Sequence, residues 1–235
     1  MCHSFDLHLH TCFSKDALSS PENMVAAAKK KGLSGVAITD HDTCEGVEYL
    51  RRKGWIREDG EAVDGFLIIP GVEVSTAHGH LLCLGTTLPK MKGRPAKEVV
   101  TAIHERGGLA IAPHAFDRFR AGIRKEILDD LDLNALETFN AAVSLRRFNT
   151  HAAAYASQRG LAATAASDAH HTSAVGTSSI SYDLSHLSLE KLLQQIPQGG
   201  SSFENYLPFR EAMRKNFGNW FRVFRSSSQR SSGQA

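Results

Sequence analysis

Cysteine is scarce in this chain. There are four in 235 residues (Cys2, Cys12, Cys44 and Cys83), and none forms a C-x-x-C pair. A core of this size needs no disulfides, so reduced thiols in a cytoplasmic protein are the expectation. Long apolar runs are also missing. Segment 66–69 is among the longest, far short of the ~20 residues that span a bilayer. No integral membrane segment is expected. The opening Met1-Cys2-His3-Ser4-Phe5-Asp6 lacks a basic region followed by an apolar stretch, so no signal peptide is expected. Charge of one sign is absent overall. The net value is +2, too weak alone to imply nucleic acid or membrane. With 42% hydrophobic and 22% charged residues, the chain is neither disordered nor collagen-like.

What the sequence does have is histidine, 12 in all. Histidine is the commonest metal ligand and a frequent acid or base, so the positions of these residues matter. The second uneven feature is the C-terminus. Residues 201–235 carry six Arg/Lys and two acids, giving +4 and leaving −2 for the other 200 residues.

Short apolar runs alternate with helical patterns. Segments 4–7, 36–39, 66–69, 72–75, 81–84, 109–112, 135–139 and 162–166 read as extended. Helices are expected from Ser20-Pro21-Glu22 to about 31, at 45–52, 97–106, 144–159 and 189–196. Such alternation implies parallel strands with helical crossovers, and a closed or distorted α/β barrel of about 200 residues suits it. Residues 1–200 are read as the barrel. Tyr206, Phe209, Met213, Phe217, Phe221 and Phe224 recur every three or four residues, predicting an amphipathic basic and aromatic helix over 201–225. That face is expected to dock on the barrel, with a dimer or an anionic partner as alternatives. Residues 226–235 are Ser/Gln/Gly-rich and read as a frayed tail.

The histidines and carboxylates fall at the expected strand ends. Asp6, His8 and His10 alternate, so an extended segment would project them together. Asp40 and His41 follow the second strand. Glu73 lies within PGVEVS, His78 and His80 precede 81–84, His114 follows 109–112, and Asp168 and His170 follow 162–166. In α/β barrels the strand C-termini meet at one rim. So many buried imidazoles and carboxylates are costly without cations. Mixed N/O ligation points to Zn, Mn or Fe, and the number of groups points to two or three ions.

At these positions the sequence resembles the PHP (polymerase and histidinol phosphatase) family of metal-dependent phosphoesterases. The matching stretches are DLHLHTCFSKD (6–16), Ser20-Pro21-Glu22, AITDHD (37–42), PGVEVS (70–75), GHLLCLG (79–85), APH (112–114) and SDAH (167–170). They cover roughly residues 4–180. The resemblance implies a distorted (β/α)7 barrel, here with a C-terminal helical extension, and two or three divalent ions. It implies that His8, His10, Glu73 and Asp168 hold one ion, that Glu73 bridges to a second held by His80 and His114, and that Asp16, His41 and His170 hold a third. His8, His10, Glu73, Asp168 and His170 would form the catalytic set. His78 rivals His80, which is favoured because it abuts the strand. Asp6 and Asp40 would orient imidazoles. Cys12 and Cys44 are read as small buried filler.

The implied reaction is hydrolysis of a phosphate ester by water activated at those ions. The substrate would be a nucleotide, an oligonucleotide or a small phosphorylated metabolite. Arg118, Arg120 and Arg124 are candidate phosphate grips, Asn140 could line the site, and His171 or His78 could protonate the leaving oxygen. Only 53 residues separate His114 from Asp168, so the large covering insertion of some members is absent. A C–N hydrolase of amidohydrolase type and a non-catalytic metal-bound scaffold are the alternatives. No lysine falls at a ligand-bearing strand end, and all nine ligand positions carry competent residues, which disfavours both.

Overall fold

In a computed structural model of the chain, residues 1–207 are described. The strands are β1 (Cys2–Leu9), β2 (Gly35–Ile38), β3 (Leu67–Thr76), β4 (Gly79–Leu84), β5 (Leu109–Ala112), β6 (Ala135–Asn140), β7 (Ala162–Ala166), β8 (Ser179–Asp183) and β9 (Ser201–Phe203). The α-helices are α1 (Pro21–Lys30), α2 (Glu45–Arg52), α3 (Ala96–His104), α4 (Lys125–Leu128), α5 (Arg147–Arg159) and α6 (Leu189–Gln195). They form one sheet in the order β7-β6-β5-β4-β3-β2-β1-β8-β9. Among the described residues no helix is long and apolar enough to cross a membrane.

The sheet curls until its two ends nearly meet. β8 pairs antiparallel with the start of β1, from Cys2 to Phe5. Past that point the edge of β1 turns to the other end of the sheet. Leu9 bridges Ala169, just beyond β7, and His10 N donates to Ala169 O at 2.8 Å. The barrel expectation therefore holds. The all-parallel expectation does not: β3 and β4 form an antiparallel hairpin, and β4 pairs antiparallel with β5. The two residues between β3 and β4 are too few for a helical crossover. β8 was not expected from the sequence. Ser201–Phe203 is a strand rather than the start of a helix, and residues 208–235, with most of the expected helix and tail, lie outside the described residues.

Local chemistry explains the elements. Ser20 caps α1, its Oγ accepting from Asn23 N at 3.3 Å, and Pro21 needs no donor at the first helical position. Gly160 ends α5 in the left-handed conformation (φ 65°). Gly71 lets β3 lie close between its neighbours: a Cβ there would sit 2.6 Å from Cys83 O. Strand alternation then sorts the side chains. Leu67 and Ile69 on β3, Leu82 and Leu84 on β4, Leu109 and Ile111 on β5 and Ala135 on β6 share one apolar cluster. Val72, Val74, Leu81, Cys83, Ala110 and Leu136 face the opposite way, against α3 and α5. Glu73, His80 and Glu137 continue the inward rows, so a polar layer caps the apolar interior.

Candidate metal centre

The nine expected ligands converge. Glu73 is their hub. Its Oε1 lies 2.8 Å from His80 Nδ1 and 3.1 Å from His114 Nε2. Its Oε2 lies 3.2 Å from each of His8 Nε2, His10 Nε2 and His41 Nδ1. Asp168 Oδ1 lies 3.4 Å from His170 Nδ1 and 3.5 Å from His10 Nε2. Asp16 Oδ2 lies 2.9 Å from His170 Nε2 and 3.5 Å from His41 Nε2. His8, His10, Glu73, His114, Asp168 and His170 are buried.

The hairpin explains the position of His80. It stands at the start of a strand, whereas the others lie late in a strand or beyond its end. Because β4 runs antiparallel, with Ser75 opposite His80, its start reaches the same rim as the end of β3. His78 lies in the turn, its Nδ1 accepting from Ala96 N at 3.2 Å, so the ambiguity resolves to His80. His114 (φ 32°) and Asp168 (φ 52°) hold left-handed backbone, a strain found at functional positions.

Electrostatics follow from the crowding. Burial opposes ionisation of Glu73, but His41, His80, His8 and His10 outweigh it and hold its carboxyl well below the usual range. Burial disfavours the charged form of His8, yet Asp168, Glu73 and Glu137 raise it well above an ordinary histidine. Burial holds His114 below the usual value.

These groups fit metal ions. His8 Nε2 and His10 Nε2 lie 3.1 Å apart, both against the same Glu73 oxygen. Two ring nitrogens and a carboxylate oxygen turned on one point suit a shared cation better than shared protons. Asp16 Oδ1 is buried with no hydrogen-bond partner. Four groups of donor atoms lie within 4.8 Å of one another: His10, Asp16, His41 and His170; His8, His114 and Asp168; His8, His10 and Glu73; and His41, Glu73 and His80.

Several neighbouring expectations change. Asp6 touches no imidazole. The β1 register shifts between Asp6 and Leu9, which breaks the alternation that would align it with His8. It accepts instead from Ser167 N (3.0 Å) and Gly176 N (2.9 Å), and burial raises its pKa to about 6. Asp40 holds Thr11 N (2.6 Å) and Thr11 Oγ1 (2.7 Å), bracing the loop after β1. The imidazoles are oriented by residues that sequence reasoning missed. Glu137 Oε1 lies 3.1 Å from His8 Nδ1, and its Oε2 accepts from His114 N at 2.7 Å. Ser14 Oγ lies 3.2 Å from His10 Nδ1 and accepts from His41 N at 2.8 Å. An acid within the apolar stretch Ala135–Asn140 was the available signal for Glu137.

Of the three arginines, Arg120 alone reaches the centre. It pairs with Asp168 Oδ2 and donates to Ala142 O at 2.8 Å. Arg118 and Arg124 line a separate cavity. Asn140 Nδ2 donates to Asp168 Oδ2 (3.1 Å) and Glu137 Oε2 (2.8 Å), so it does join the site. His171 Nδ1 lies 2.7 Å from Ser173 Oγ. Cys12 is exposed, so it is not buried filler; Cys44 is half-buried and packs against the core, and neither belongs to a ligand group.

The chain is similar to several known proteins. The PHP domain family model matches residues 6–144, and the PHP-associated model matches 146–200. An uncharacterised protein of Methanocaldococcus jannaschii, MJ1587, is 36% identical over 146 residues, covering 58% of this chain and 81% of that one. The 5′-3′ exoribonuclease Rnm of Salmonella typhimurium is 42% identical over 72 residues, which span 31% of this chain and only 22% of the enzyme. Among solved structures, a two-domain Bacteroides vulgatus protein containing a predicted PHP-like metal-dependent phosphoesterase superposes with a TM-score of 0.72 at 15% identity, covering 93% of this chain and 70% of that one. With the family model spanning more than half its length, the chain belongs to the PHP family of phosphoesterases and is a hydrolase.

Proposed function

We propose that this chain hydrolyses a phosphate ester of a nucleotide, an oligonucleotide or a small phosphorylated metabolite at a centre of two or three divalent ions. The observation that carries this reading is Glu73, one buried carboxylate within 3.2 Å of five imidazoles. His8, His10, Glu73 and Asp168 would hold one ion. Glu73 with His80 and His114 would hold a second, and Asp16, His41 and His170 a third. The mixed N/O set suits Mn, Zn or Fe. When bound, such ions lower the pKa of water and polarise phosphoryl oxygens.

The chain's own residues prepare the site. Glu137 engages His8 Nδ1, which turns His8 Nε2 toward Glu73. Ser14 does the same for His10. Arg120 and Asn140 hold Asp168 Oδ2, directing Oδ1 toward the imidazoles. His171, adjacent to His170, is the candidate donor to the leaving oxygen.

The test is turnover of p-nitrophenyl phosphate and its diester with Mn or Zn. His8→Ala and Asp168→Ala are expected to abolish it. Wild-type rates in both variants overturn the reading.

A further inference from the structure

Outside the metal centre, a cavity of about 560 Å³ is lined largely by basic residues. Arg118, Arg124, Lys125 and Arg147 line it, with Phe116 and Phe148 as apolar wall. Glu126 is the only acid among its lining residues, and His151 completes it. Lys125 is tied to Asp129 at 2.6 Å. Among the described residues no carboxylate pairs with Arg118, Arg124 or Arg147. Three exposed guanidinium groups therefore line one cavity with a single acid, Glu126, beside them and no ion pair of their own among the described residues, an excess of positive charge that favours an anion.

The cavity adjoins the metal centre through shared loops. Arg118 and Arg120 stand on the same short turn, Arg118–Arg120, and Arg120 pairs with Asp168. Two residues of chain span at most about 7 Å. The other wall comes from α5, which follows β6, the strand that brings Asn140 to Asp168. Asp117 Oδ2 accepts from Ser144 N at 2.7 Å and locks the two loops together. Between Arg118 and Arg120 stands Phe119, 76% exposed, with no core to pack on. An exposed aromatic flanked by arginines is the pairing that holds unpaired bases and their phosphates.

We propose that this cavity is a second anion subsite of the same active site, binding a neighbouring phosphate of a single-stranded oligonucleotide while the metal centre holds the scissile one. The proposal rests on the phosphoesterase reading for the position of the scissile ester. Its own content is the substrate class, a strand with at least two phosphates and a base to stack on Phe119.

The first test is binding, which needs no turnover. The probe is a 3′-fluorescein oligothymidylate of about twelve nucleotides with phosphorothioate linkages, titrated by anisotropy into the metal-loaded full chain at several salt concentrations. In Arg118→Ala/Arg147→Ala, loss of the one phosphate held in the cavity is expected to reduce the slope of log K against log salt by about 0.7. Phe119→Ala is expected to weaken binding on the order of tenfold without changing the slope. Arg52→Ala/Arg106→Ala, with the same charge removed from exposed positions on α2 and after α3, is the control. A slope that falls equally in the control, or in neither double variant, overturns the subsite.

The second test is kinetic. In Arg118→Ala/Arg147→Ala, KM for the unmodified oligonucleotide is expected to rise on the order of tenfold more than KM for p-nitrophenyl phosphate. Equal changes for both substrates overturn the proposal. A nucleoside bisphosphate shifted as strongly as the oligonucleotide overturns the strand and confines the cavity to a single phosphate. If the wild type hydrolyses no ester, the phosphoesterase reading fails while the anisotropy arm still decides the subsite.

Discussion

His8 Nδ1 lies 3.1 Å from Glu137 Oε1, and both side chains are buried. The contact fixes the ring so that its other nitrogen points at Glu73. Glu137→Gln keeps the shape and removes the charge. Metal affinity is expected to fall about 10–100-fold, the usual effect of losing the group that orients a ligating imidazole. Titration calorimetry with Mn or Zn measures it, and unchanged affinity removes Glu137 from the centre.

Chelation is expected to lower thermal stability. An ion bound only by the folded chain, at a hundred times its Kd, contributes about 2.7 kcal/mol. For a chain of this size that is a Tm loss of roughly 5–10 °C. Scanning calorimetry with and without EDTA reads it directly. His8→Ala is expected to lose most of the shift, and a chelator effect that persists there places the stabilising ion elsewhere.

One acid-sensitive contact lies away from the centre. Glu22 on α1 meets Lys53 Nζ at 2.6 Å, and Tyr49 also donates to it; together they lower its pKa to about 2. Its ordinary value is 4.5, so the stabilisation is complete above that pH and is lost as pH falls from 4.5 toward 2. Lys53 is 44% exposed, so solvent screening limits the effect to under about 1 kcal/mol. Glu22→Gln should flatten the acid limb of the stability curve by that amount. An unchanged limb in urea unfolding series between pH 3 and 6 refutes the assignment.

Gly71→Ala tests the approach of β3 to its neighbours. The added Cβ would meet Cys83 O at 2.6 Å and Thr39 Cγ2 at 3.2 Å. The expected cost is about 1–3 kcal/mol. Glu73, two residues on, should shift with the strand, so metal affinity is expected to drop as well. A variant with wild-type Tm and metal affinity shows that the sheet gives way freely here.

The convergence of the nine candidate ligands was legible in the sequence because polar groups ending apolar runs have few structural reasons to be buried. All nine converge on the centre, and Glu73, His8 and His10 do so in full burial. The partner of each strand was less legible. An apolar run does not encode direction, so β4 reads like a parallel strand until the two-residue turn before it is recognised. Asp6 shows a second limit: the register shift in β1 is invisible to a strict period of two. Arg118, Arg120 and Arg124 show a third. They share one loop, but Phe116 (φ 69°) and Ala121 (φ 54°) take left-handed backbone, and Arg120 turns to Asp168 while Arg118 and Arg124 line the neighbouring cavity. Glu137 was legible as an acid within an apolar strand, but the strand alone does not say which imidazole it meets.

The bridge between Leu9 and Ala169 has a consequence for assembly during synthesis. It joins segments about 160 residues apart in the chain, and ligands stand on both sides of it. A ribosome delivers His8 and His10 first and Asp168 and His170 last. The emerging chain can gather imidazoles early, but the full set of candidate ligands exists only after β7 and the residues that follow it have arrived. On the proposed ligand assignment, metal loading would report the joining of β1 to the segment after β7, and a chain truncated before β7 should bind no metal at this centre.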